Sequence, residues 1–158
     1  MARRRTDYAS PAFRHLRDGE YLLQGATTDP HRRMNADQLF GLAWECALKA
    51  VTVGFGMRMD VPKRVYRRIL GRMPKRKADF VHADKVLPRF LHYANGRAQA
   101  QYAAQLGAAN PFADWKVDQR YLNDGPYPGL LVVKGHQRAA CIGIGVLRQA
   151  IIDGVVSP

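Results

Sequence analysis

Acidic side chains are scarce in this chain. Against 25 Lys and Arg it sets 13 Asp and Glu over 158 residues, a formal charge of +12 and a pI near 10.2. That deficit favours phosphate-rich or otherwise acidic partners and says nothing about fold. Cysteine is scarcer still: Cys46 and Cys141 lie in apolar, helical-looking stretches rather than in a CxxC or a spaced secretory framework, so both are expected as buried thiols. Also missing is any run of about 18 uncharged apolar residues, the length a bilayer-spanning helix needs. The basic start MARRRTDYASPAF has no apolar run behind it and fails as a signal peptide. The expectation is cytoplasmic residence with no membrane partner.

Chemistry-bearing motifs are thin as well. Of the histidines His15, His31, His82, His92 and His136, no two form HExxH, and none clusters with Cys or paired carboxylates at ligand spacing, so no metal is expected. There is no nucleophile elbow; Ser10 reads as a helix cap and Ser157 as a tail. VGFGM and IGIGV each contain two glycines but do not complete GxGxxG, which argues against a Rossmann-type enzyme and leaves no cofactor expected.

What the chain does have is helical patterning. With 47% hydrophobic content it can bury about two thirds of its unfolded surface, and a single domain over 1–158 is expected. Ser10-Pro11 opens a first helix at about 10–24, carrying Phe13, Leu16, Tyr21 and Leu22. GATTDPHRR reads as a loop, after which Asn35 can cap a second helix. That helix is apolar around most of its circumference and leaves only Gln38, Gly41, Glu45 and Lys49 as a polar stripe. It reads as central, its stripe facing a slot of solvent or other buried polar groups, with Glu45 and Lys49 as an i, i+4 ion pair on a thin exposed edge.

The segment 58–77 holds nine Lys or Arg and one acid. Pro62 and Pro74 bracket a possible short helix there, with Lys63, Arg64, Arg67, Arg68, Arg72, Lys75, Arg76 and Lys77 outward as a phosphate-contacting or merely solvated face. Residues 84–106 read as a third helix with Leu87, Leu91, Ala94, Ala98, Tyr102 and Leu106 on one face. A short helical turn follows at 114–121, LLVV as a piece that can be extended, and a last helix from His136 with Gly143 and Gly145 as packing glycines. The sum is an all-α bundle of four or five helices.

Residues 34–51, MNADQLFGLAWECALKAV, resemble the second helix of HEPN proteins, small prokaryotic helical bundles in which a run like AaEkalKAll recurs. FRHLRDGEYLLQG resembles the first helix of that bundle, and WKVDQRY extends the likeness over most of the chain, the basic segment excepted. The resemblance implies an up-down HEPN-like bundle. It also implies a homodimer whose two subunits face a shared cleft, and an RNA-directed function of the toxin-antitoxin or defence kind, with an antitoxin or neighbouring-gene protein as a possible partner. Many such proteins are metal-independent ribonucleases that use an Arg, a His four to six residues on, and often a Tyr two beyond. Here Arg120 and Tyr127 keep that spacing, but Gly125 stands at the histidine position. Arginine's planar fork suits holding a phosphate and not accepting a proton. A substitute base is therefore sought in His136, or in the pairs Arg76/His82 and Arg89/His92; Glu45, Lys49 and Asp118 are candidate supports that orient Arg120 or pair with it. The alternative is a catalytically degenerate module that binds nucleic acid, nucleotide or a protein partner.

Overall fold

A computed structural model describes residues 7–56, 82–93, 100–121 and 127–157, apart from the side chains of His92, Tyr93 and Arg120. Among them the protein is an all-α bundle with no strand. The helices are α1 (Ala9–Gln24), α2 (Pro30–Gly54), α3 (Ala83–Tyr93), α4 (Ala100–Leu106) and α5 (Leu130–Ile152), with a 3-10 turn at Val117–Tyr121. The basic residues Lys63, Arg64, Arg67, Arg68, Arg72, Lys75, Arg76 and Lys77 fall outside the described residues, as does Gly125.

Helix α2 is central, and α1, α3, α5 and the 3-10 turn all pack on it. Its starting point differs from the expected Asn35, which is exposed within the helix. Asp29 caps instead, accepting the backbone N–H of His31 at 2.9 Å and of Arg32 at 3.1 Å, and Pro30 takes the first helical position, where its missing N–H costs nothing. A similar shift occurs at α1: Ser10 is already helical, and the carboxylate of Asp7 accepts from the Ala9 and Ser10 amides.

The α2–α5 pair forms the spine. Asp37 meets His136, Trp44 meets Gly143, and Gly54 meets Val155 and Val156, so contacts advance together and the two helices run parallel. Close approach depends on missing side chains. A Cβ on Gly143 would sit 2.8 Å from the Trp44 ring, and one on Gly41 would sit 2.3 Å from the Trp115 indole. Gly145 differs from expectation: it faces open space rather than a neighbouring helix. LLVV is not extended; it forms the first turn of α5, because Val133 continues the buried stripe of His136, Ala140, Ile144 and Leu147.

Pro88 sits within α3 without ending it. Lacking an N–H, it cannot bond the Asp84 carbonyl four residues back. Asn110 fills the vacancy: its side-chain amide donates to Asp84 O at 2.8 Å and Ala83 O at 3.1 Å, while its own oxygen accepts the Phe112 N–H at 3.2 Å. One side chain thus completes α3 and seats Phe112 in the core, where it is fully buried.

Two outcomes concern exposure. Cys46 is half-buried, but Cys141 lies on the outer side of α5 and is exposed, contrary to the buried thiol expected. Among the described residues α5 is also the one helix long and apolar enough to cross a membrane; 44% of its apolar window is buried inside the bundle.

Asn110→Ala is expected to cost about 1–3 kcal/mol by leaving the part-buried Asp84 carbonyl unsatisfied, read as a lower urea midpoint. In a Pro88→Ala background, where an N–H is restored to the helix, the same substitution should cost clearly less. Equal losses in both backgrounds would show that Asn110 does not act by completing α3.

Candidate functional site

Polar groups inside a helical bundle need partners, and α2 buries Asp37, Gln38, Glu45, Lys49 and Thr52. They form three stations along the helix. At the first, His136 of α5 places Nδ1 2.6 Å from Asp37 Oδ1, and its ring stacks on Phe112 with centroids 4.5 Å apart. His136 is 7% exposed.

The second station holds the segment leading to Arg120. Trp115 lies over Gly41 and donates its indole N–H to the Asp37 carbonyl at 3.3 Å. One residue along α2, the Gln38 amide donates to Lys116 O at 3.0 Å and to Gln119 Oε1 at 3.3 Å. Gln38 is 4% exposed, and its Oε1 has no hydrogen-bond partner among the described residues. The backbone of Arg120 follows Gln119 within the 3-10 turn, and Asp118 is exposed in the same turn. Asp37 and Gln38 therefore gather both His136 and the approach to Arg120 on a single turn of α2.

At the third station, about 10 Å further along the helix axis, Lys49 Nζ lies 2.7 Å from Glu45 Oε1 and His82 Nδ1 lies 3.2 Å from Glu45 Oε2. This pair was expected on an exposed edge. It is buried instead, because His82 at the start of α3 reaches one carboxylate oxygen and Tyr8, just before α1, covers the ammonium with its ring centroid 5.7 Å away. Beside it, burial and the Glu45 charge push the Cys46 thiol up to about 11.

Tyr127 is half-buried just before α5. Its hydroxyl lies 3.5 Å from His31 Nδ1, and the rings meet edge-on with centroids 5.1 Å apart. His31 is exposed in the first turn of α2. Its position seven residues before Gln38 puts the two on one face of the helix. Sequence reading passed over His31 because it seemed part of a loop; the Asp29-Pro30 cap signal was what could have placed it on the helix. Of the other pairs considered as bases, Arg76 and the His92 side chain lie outside the described residues, while His82 is engaged with Glu45.

Elsewhere, an open cleft of about 330 Å³ between the start of α1, the end of α2 and residues 155–157 has a mixed polar and apolar lining that includes Tyr8, Ser10, Val53, Val155 and Ser157; Asp7 in that lining already accepts the first amides of α1. No protein-family model, curated protein or solved structure matches the chain.

Removing one member of a buried ion pair strands the other. Glu45→Ala should destabilise by about 3–5 kcal/mol, and adding Lys49→Met should recover much of that loss in urea unfolding. An unrecovered double variant would mean that the carboxylate acts mainly through His82. For the thiols, a pKa near 11 leaves on the order of a thousandth of Cys46 as thiolate at pH 8. Cys141 should therefore react first with a thiol reagent, and the Cys46 rate should climb about tenfold per pH unit; equal rates at pH 8 would contradict the burial argument.

Proposed function

We propose that the chain is an HEPN-like module directed at RNA, which holds the phosphate backbone through Arg120 and the basic segment 58–77 rather than cutting it through His136. The carrying observation is the state of His136: buried, bonded to Asp37 and stacked on Phe112. A general base for the 2′-hydroxyl of a polymer has to be presented within hydrogen-bond reach of it. His136 is built as a positioning residue that locks α5 to α2. A charge of +12 supports a polyanionic partner. The same reading carries cytoplasmic residence, a homodimer, a toxin-antitoxin or defence role, and an antitoxin or neighbouring-gene protein as a possible partner.

One observation favours the enzyme as a second reading. His31 is exposed beside Tyr127, the tyrosine at the spacing of the ribonuclease pattern. As a metal-independent endoribonuclease, the protein would use His31 to accept the 2′-hydroxyl proton while Arg120 stabilises the charge that builds on the phosphate. His31 thus takes the task that Gly125 leaves open.

Binding and cleavage of single-stranded and structured RNAs by purified protein separate the two. In the binding reading, affinity falls steeply with salt, Arg67→Glu/Arg68→Glu/Arg72→Glu/Arg76→Glu weakens it strongly, and no cleavage occurs. In the enzymatic one, RNA is cut without metal and His31→Ala lowers the rate by roughly 10² to 10⁴ while affinity changes little. RNA affinity indifferent to both salt and charge reversal, with no cleavage that Arg120→Ala abolishes, rejects both.

A further inference from the structure

We propose that the outward face of α5 docks the protein on an anionic lipid surface, with the helix lying flat along the headgroups. This stands apart from the RNA reading and uses different residues.

The face is assembled by helical spacing. Leu131, Lys134, Gly135, Arg138, Ile142, Gly145, Gln149 and Ile152 fall within an arc of about 100° at 100° per residue. All of them are exposed. Leu131 is 85% exposed, Ile142 48% and Ile152 77%, and Val132 adds another half-exposed aliphatic side chain at the helix start. The two glycines face open space, so none of the described residues lies over the middle of the stripe. Leu131 and Ile152 lie about 31 Å apart along the axis, with Ile142 between them.

Charge decides what fits. From Leu130 to Ile152 there is no Asp or Glu, while Lys134, Arg138 and Arg148 are all exposed. Asp153, just beyond, has its carboxylate engaged by the Tyr102 hydroxyl and the Gln149 amide, and the Arg148 guanidinium lies 5.7 Å from the Phe13 ring centroid. A second copy related by a two-fold axis would bring Lys134 and Arg138 of each helix, four cations, onto a face to which neither helix contributes an acid, which like-charge repulsion disfavours. A nucleic acid would satisfy the cations but set Leu131, Ile142 and Ile152 against phosphates. An anionic headgroup layer satisfies both: the aliphatic tips enter the acyl boundary while Lys and Arg stems extend along it and place their charges at the headgroups. The opposite side of α5, including Val133, Ala140, Ile144 and Leu147, is buried in the core, so the helix can lie on a bilayer with the bundle intact.

The test uses the full chain in flotation with phosphatidylcholine vesicles, with and without phosphatidylserine. Binding is expected only with phosphatidylserine. Lys134→Gln/Arg138→Gln should weaken it about fivefold per cation, and Leu131→Ser/Ile142→Ser/Ile152→Ser roughly tenfold or more. These side chains are exposed, so circular dichroism should remain unchanged. An environment-sensitive dye on Cys141, which is exposed where Cys46 is half-buried with its thiol pushed further up, should shift to the blue with phosphatidylserine vesicles. The proposal fails if wild type does not float. It fails also if the serine variant floats like wild type, since charge alone then explains the binding. If the serine variant instead abolishes a concentration-dependent dimer, or the glutamine variant weakens only RNA binding, the face belongs to a second copy or to nucleic acid, and the lipid assignment is overturned.

Discussion

A helix that buries two carboxylates, an ammonium and a carboxamide has to bring a partner to each, and the partners available to α2 come largely from elsewhere in the chain. Asp37 takes His136 from α5, Glu45 takes His82 from the start of α3 as well as its own Lys49, and Gln38 takes Lys116 and Gln119 from the segment before the 3-10 turn. An unpaired charge at any of these places would cost several kcal/mol, so the docking of α5, of the start of α3 and of the segment before the 3-10 turn onto α2 is tied to a specific polar contact as well as to apolar burial. This is how an almost cylindrically apolar helix, able to pack in many rotations, acquires one.

The same economy appears at Pro88, where a missing N–H in α3 is answered by Asn110 and the answer also seats Phe112. Phe112 then stacks on His136 and packs against Trp44, its ring centroid 5.7 Å from that indole. A defect in one helix is therefore linked by short contacts to the pair that joins α2 and α5. The loop 107–116 acts as a clamp: Asn110 holds α3, and Trp115 and Lys116 hold α2.

Function follows from which polar groups the bundle consumes. His136 and His82 are taken up in holding carboxylates, so neither is presented as a free base. His31, at the exposed start of α2 and beside Tyr127, is not used in that way. The outer side of α5 is a separate surface, apolar and cationic by turns, and its chemistry is that of an interface with headgroups rather than of a cleft.

Much of the architecture was legible in the chain: the helical class, α1 to within a residue, the centrality of α2, a short turn within 114–121, and the pairing of Glu45 with Lys49, though not its burial, all follow from local spacing and capping chemistry. Local signals also misled. Asn35 and Ser10 are ordinary cap residues, but Asp29 and Asp7 lie upstream and win because one side-chain oxygen of each accepts two backbone amides at once. LLVV carries no periodicity of its own, and only its continuation into the stripe of His136 and Ala140 makes it helical. What the sequence determined by itself was that α2 would be central and that its few polar residues would need partners. Which partners they found, His136 for Asp37, His82 for Glu45, and His31 beside Tyr127, was decided only by tertiary structure, since each pairing joins residues 37 to 99 positions apart and no local pattern encodes a contact across such a distance.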